Sequence, residues 1–171
     1  MRMADISFEI ILVQALGFVA LSLGVRAFLS HDDRRLKLIL TAQSLVLSVH
    51  FFLLGAGGGA AASLITGIRN FSSLFAKVKH AAPLFIAFYV AFGVYSYQSW
   101  TDALPICGSI ISTIGFFYLN KIPMRLCALC ATSLWLVHNM AVGSIGPLLM
   151  ELLIFTANVK TIYALRQNSR V

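Results

Sequence analysis

The chain has 171 residues, 59% of them hydrophobic and only 11% charged, with a formal net charge of +7. A soluble domain carries roughly 25% charged residues, so this composition excludes an ordinary water-facing globule. The basic residues flank apolar runs and form no single soluble face, which excludes a nucleic-acid-binding surface despite the charge.

Crossing a bilayer core of about 30 Å takes about 20 helical residues, and seven apolar runs follow one another along the chain. Span 1 covers about 8–29. Asp5 and Glu9 stand where a cleavable signal would carry basic residues, so it reads as a retained transmembrane helix. It ends in the turn Ser30-His31-Asp32-Asp33-Arg34-Arg35. Span 2, about 36–54, ends at the glycine cluster Gly55 to Gly59. Span 3, about 59–76, ends at Lys77-Val78-Lys79-His80, and span 4, about 82–98, at Gln98 to Asp102. Span 5, about 104–119, ends at Asn120-Lys121-Ile122-Pro123. Span 6, about 124–142, ends at Gly143-Ser144, and span 7, about 146–165, runs into Arg166 to Arg170. A single transmembrane domain over 1–171 is expected.

The positive-inside rule orients these spans. With seven of them, Arg34, Arg35, Lys37, Lys77, Lys79, Lys121, Arg125, Arg166 and Arg170 share one side, and Arg2 stands alone on the other. The basic side is cytoplasmic, so the expectation is an N-terminus outside and a cytoplasmic C-terminus.

An internal repeat is also legible. A shift of 88 residues pairs Lys37 with Arg125, His50 with His138, Gly55 with Gly143, Gly58 with Gly146 and Asn70 with Asn158. A shift of 91 pairs Gly17 with Gly108, Ser22 with Thr113 and Gly24 with Gly115. Repeat 1 (about 8–77) thus matches repeat 2 (about 104–165), with a linker helix at about 82–98. The expected fold is an all-α membrane protein of seven transmembrane helices: two parallel three-helix repeats joined by an inversion helix, 3+1+3. In transporters built this way the substrate site lies near mid-membrane, at the repeat interface.

Certain segments carry a family resemblance: Asp33-Arg34-Arg35-Leu36-Lys37-Leu38, Val49-His50-Phe51-Phe52-Leu53-Leu54-Gly55, Pro123-Met124-Arg125-Leu126-Cys127, Val137-His138-Asn139 and Gly143-Ser144-Ile145-Gly146. With the repeat, they make the chain resemble the SWEET, SemiSWEET and PQ-loop superfamily, and more closely the YgjV family of bacterial inner-membrane proteins. The Pro-Gln dipeptide of the PQ-loop group is absent, and spans 1, 2 and 6 hold no internal proline. The resemblance implies an asparagine on the third and on the last helix facing across a pore, here Asn70 and Asn158, with Trp135 as an aromatic lining residue.

Depth supports the same pair. Asn70 and Asn158 lie about 12 and 13 residues into their spans, roughly 18–20 Å deep, where an amide needs partners. The alternative for each is an interhelical hydrogen bond. His50 and His138 sit near the outer ends of spans 2 and 6; they read as an outer gate or proton-sensitive pair, or as structural histidines bonded to loop carbonyls. Glu151, deep in span 7, either pairs, with His138 as a candidate, or takes up a proton.

Cys127 and Cys130 resemble half of a metal or redox motif, but a structural zinc needs four ligands; in an apolar helix they read as small hydrophobes. No cofactor, metal or catalytic constellation is expected. The expectation is a non-enzymatic carrier of a small polar solute, by alternating access. The alternative is a non-transporting, structural or lipid-interacting inner-membrane protein. Membrane lipid is the expected partner, with a homo-oligomer open.

Overall fold

The computed structural model describes residues 3–28, 33–75, 81–119 and 121–168. Arg2, His31, Asp32, Lys77, Lys79, His80, Asn120 and Arg170, which enter the sequence reading, lie outside the described residues. Among the described residues the regular structure is helical, in seven helices: α1 (Met3–Phe28), α2 (Asp33–Leu53), α3 (Gly57–Ser72), α4 (Ala82–Tyr95), α5 (Trp100–Tyr118), α6 (Lys121–Ala141) and α7 (Ile145–Asn168). Each falls on an expected span.

The boundaries differ from expectation for local reasons. Span 5 is expected from 104, but α5 starts at Trp100. Asp102 in its first turn accepts the Ser99 N–H at 2.9 Å and the Gln98 N–H at 3.1 Å, which satisfies donors that a helix start leaves free. Gly57 and Gly58, expected in a turn, belong to α3. The turn is shorter because Gly55, at φ 72°, ends α2 by itself. The Ala56 N–H reaches the Phe51 carbonyl at 2.8 Å and the Gly55 N–H the Phe52 carbonyl at 3.0 Å, the Schellman pattern that a left-handed residue allows. Gly143, at φ 69°, ends α6 in the same way: Ser144 bonds back to Asn139 and Gly143 to Met140.

The burial pattern is inverted relative to a soluble protein. Ile11, Phe52, Phe75, Val94 and Leu153 are each more than half exposed, while Gln43, His50, Asp102, His138, Asn139, Glu151 and Asn158 are buried. Large apolar side chains outside and polar ones inside suit a lipid surrounding and not water. By length and composition alone, Glu9–Ala27 and Ile145–Tyr163 can cross a membrane, with mean hydropathies of 2.0 and 1.4. Lys37–Leu53 and Ala82–Tyr95 are shorter apolar stretches.

Packing follows a ring. Helix α1 lies against α2, α2 against α3, α3 against α5, α5 against α6, α6 against α7, and α7 against α1. Helix α4 sits on the seam between α3 and α5. One apolar cluster gathers Ala20, Leu47, Phe51, Ala56, Ala60 and Met150, with Trp135 packed against it. A second gathers Ala62, Ile65, Phe85, Tyr89 and Ile106, again with Trp135.

Candidate functional site

A group of buried polar side chains lies at the end of the ring where α2 and α6 stop and α3 and α7 begin; it is called the histidine end below. His50 and His138 are both fully buried there. His50 Nδ1 lies 2.7 Å from the Val13 carbonyl and His138 Nδ1 lies 2.9 Å from the Thr101 carbonyl. A carbonyl only accepts, so Nδ1 carries the proton in both rings, and Nε2 of a neutral ring is then an acceptor. His50 Nε2 accepts from the Ser144 hydroxyl at 2.8 Å. Among the described residues, His138 Nε2 has no partner, nor do the amide nitrogen and oxygen of Asn139.

Both histidine bonds span 37 residues of chain. Val13 and Thr101, like His50 and His138, are therefore 88 positions apart. These two bonds follow the 88-residue shift and not the 91 expected for the first helix, a difference of three residues, which on a helix keeps nearly the same face.

Proline supplies the acceptor for His138. Pro105 lies inside α5 and has no N–H, so the carbonyl four residues earlier, Thr101, lacks its helical donor. The imidazole takes that place.

Side chains of α1 and α5 also hold the starts of α7 and α3. Gln14 Oε1 accepts the Ile145 N–H at 3.1 Å, and its Nε2 donates to the Gly143 carbonyl at 2.6 Å. Asp102 accepts the Gly58 N–H at 3.0 Å, in addition to the bonds it makes at the start of α5. Gln14 and Asp102 are again 88 residues apart. Glycine permits these junctions to close: a Cβ on Gly58 would run into the Asp102 backbone, and one on Gly146 into the Gly17 backbone.

Aromatic rings meet between α2 and α6. Phe51 stacks edge-on with His50 at 5.2 Å and with His138 at 5.4 Å between centroids. Trp135 meets Phe51 at 5.7 Å and His138 at 5.9 Å. Three of the expected site residues, His50, His138 and Trp135, thus fall into one cluster around Phe51.

The other three lie elsewhere. Asn158 is buried; its Oδ1 accepts from the Arg125 guanidinium at 3.1 Å and its Nδ2 donates to the Ile154 carbonyl at 3.1 Å. Asn70 is half-buried, and its backbone carbonyl accepts from Ser73 Oγ at 2.6 Å. Lys37, 88 positions before Arg125, donates to the Ser73 carbonyl at 3.0 Å, so Lys37 ties α2 to the end of α3 as Arg125 ties α6 to α7. Glu151 is buried on α7, and its hydrogen-bond partner is the Thr132 hydroxyl, not His138. Two open cavities lie on the flanks of the bundle. One of about 500 Å³ runs along α1 from Ala15 to Arg26; one of about 570 Å³ lies between α2, α3 and α4, walled by Phe52, Phe92 and Tyr95. Neither is lined by Asn70, Asn158 or Trp135.

Gln14, Thr101, Asp102 and Asn139 were not singled out from the sequence. The Ser99-x-x-Asp102 spacing is a helix-start signal, and Pro105 marks a free carbonyl four residues earlier; both were readable. Gln14 and Asn139 carry no local signal.

A helical bundle with an apolar exterior and a polar interior is the build of an integral membrane protein. The comparisons agree. Residues 11–169 match the family model Imp-YgjV, bacterial inner membrane protein, and the chain belongs to that family. It is also 32% identical over 140 residues to "Inner membrane protein YgjV" of Escherichia coli (strain K12), covering 82% of this chain and 76% of that one. No solved structure matches the chain.

Proposed function

We propose that the chain is a non-enzymatic carrier of a small polar solute in the bacterial inner membrane, working by alternating access between two parallel three-helix repeats, α1–α3 and α5–α7, joined by α4. In this reading the chain crosses seven times, and the Lys/Arg distribution supports a histidine end at the periplasm and a C-terminus in the cytoplasm. The observation that carries this reading is the paired histidine geometry, with Nδ1 of each ring bonded to a carbonyl 37 residues earlier. The packing supports it too. Exchanging α1 with α5, α2 with α6 and α3 with α7 maps every neighbouring pair of the ring onto another neighbouring pair. A pseudo-two-fold ring has the symmetry needed for two halves to rock against each other. In this reading Asn70 and Asn158 offer amides to the solute from the two halves. His50, His138 and Phe51 close the periplasmic end, and Glu151 is a proton-linked group.

A second reading, a structural or lipid-interacting protein, is favoured by one specific feature: both ends of the Asn158 amide are engaged, by Arg125 and by Ile154. Uptake by proteoliposomes across a panel of labelled sugars, amino acids and organic acids separates the two. Saturable uptake of one class supports the carrier. Uptake no faster than protein-free liposomes for every class favours the second reading.

A further inference from the structure

We infer that His138 and Asn139 hold a hydroxyl-bearing guest inside the bundle at the histidine end. Three hydrogen-bonding atoms on these adjacent residues, His138 Nε2 and Asn139 Nδ2 and Oδ1, are buried without a partner among the described residues, and the residues are 0% and 1% exposed. Buried polar groups in native structures are almost always satisfied, by protein or by a bound molecule.

The other half of the chain serves as an internal control. His50 has the same Nδ1 bond as His138, yet its Nε2 accepts from Ser144. The residue 88 positions before Ser144 is Ala56, a methyl group that can donate nothing to His138. The residue 88 positions before Asn139 is Phe51, a ring that asks for no partner. The open hydrogen-bonding capacity thus comes from the residue types of one half and not from the helix geometry common to both.

A Cβ on Gly59 would stand 2.6 Å from His138 Nε2, so the glycine lets the imidazole lie against the α3 backbone and puts no side chain there to bond the nitrogen. The proton on Nδ1 is fixed by the Thr101 carbonyl, which Pro105 leaves free.

Chemistry selects the guest. Nε2 and Oδ1 accept, and Nδ2 donates. A carboxylate has no proton to give Nε2, and an ammonium has no lone pair for Nδ2. A hydroxyl does both. It can come from water or from a polyhydroxylated solute; the inference therefore holds in a chain that transports nothing, and a solute guest would add a recognition position to the carrier reading.

The test is nitrogen-15 magnetic resonance of the full chain in detergent, labelled at histidine. His31→Gln and His80→Gln leave two rings to assign. His50 Nε2, bonded to Ser144, gives the reference for a bonded acceptor. The expected result is that His138 Nε2 resonates with His50 and away from the position of a bare lone pair. A bare-lone-pair resonance for His138 overturns the inference. Glucose is then titrated: a saturable shift of the His138 signal identifies a sugar-like guest, and an unchanged bonded signal identifies water. Asn139→Leu supplies an independent measurement. With a guest present it lowers the thermal midpoint and moves the His138 signal; a raised midpoint, the result of removing an amide that had no partner, overturns the inference.

Discussion

His138 is bonded to Thr101 at 2.9 Å because Pro105 gives that carbonyl no donor of its own. His50 makes the matching bond to Val13, but residue 17 is a glycine with an N–H. The two bonds look alike and should differ in weight. His138→Leu leaves the Thr101 carbonyl without any donor and should cost about 1–3 kcal/mol. His50→Leu leaves the Val13 carbonyl with a helical donor, and its loss falls on Ser144. Pro105→Ala should make His138→Leu less costly, giving a coupling energy in a double-mutant cycle measured by unfolding in detergent. Strict additivity would refute this role for Pro105.

Asp102 serves two helix starts at once, through Gly58 of α3 and through Gln98 and Ser99 before α5. A single capping side chain contributes about 0.5–2 kcal/mol, and this one should exceed a typical cap. Asp102→Ala is expected to lower stability by about 2 kcal/mol or more. Asp102→Asn, which keeps one acceptor oxygen, should retain part of the loss. Thermal unfolding of the two variants checks the order.

Two glycines three positions apart should respond to alanine for different reasons. Gly55 stands at φ 72° with nothing near its missing side chain, so Gly55→Ala costs only the left-handed backbone, roughly 1–2 kcal/mol. At Gly58 the new methyl would strike the Asp102 backbone, which cannot move without parting α3 from α5. Gly58→Ala should therefore be the more damaging. Equal loss in both variants would mean that the junction yields easily.

The sequence carried the helices because apolar runs, charged turns and the two left-handed glycines are local signals, and the helices fall on the expected spans. It carried the histidine pair because His50 and His138 stand out in apolar surroundings and share the 88-residue shift. It did not carry the acceptors of the two histidines, Val13 and Thr101, which are 88 positions apart where the first-helix glycines pair at 91. Nor did it carry the partners of Asn158 and Glu151. Arg125 and Thr132 lie 33 and 19 positions from them, and which polar residue a buried group meets depends on how α6 and α7 are rotated against each other. Gln14 was hidden for the same reason: its partners at 143 and 145 come from the far end of the chain.

Ala56 occupies the N-cap of α3 without a side-chain bond, where the corresponding residue before α7 is Ser144. Serine is among the preferred N-caps and alanine among the poorest. Ala56→Ser should raise stability by about 1 kcal/mol, seen as a higher thermal midpoint. It should also offer His138 Nε2 the hydroxyl that Ser144 offers His50, and so compete with any guest there. A lower midpoint would mean that the hydroxyl finds neither the α3 backbone nor the imidazole.

Arg125 and Asn158 give the sharpest test of the carrier reading. The guanidinium holds Asn158 Oδ1 at 3.1 Å, so a solute that takes the amide must displace Arg125 or bind after it has moved. Once a substrate is identified by uptake, Asn158→Ala removes the recognising group and should weaken apparent affinity by at least tenfold, roughly 1.4 kcal/mol. Arg125→Gln leaves the amide in place and frees it, so apparent affinity should rise or hold while the maximal rate changes. In a purely structural protein the two substitutions share one phenotype, because each breaks the same α6–α7 bond: a modest loss of stability, near the 0.6 kcal/mol average for hydrogen bonds within membranes. Opposite effects on apparent affinity, with membrane-inserted protein unchanged, are therefore the expected outcome. Parallel effects that track the amount of folded protein would remove Asn158 from the solute path.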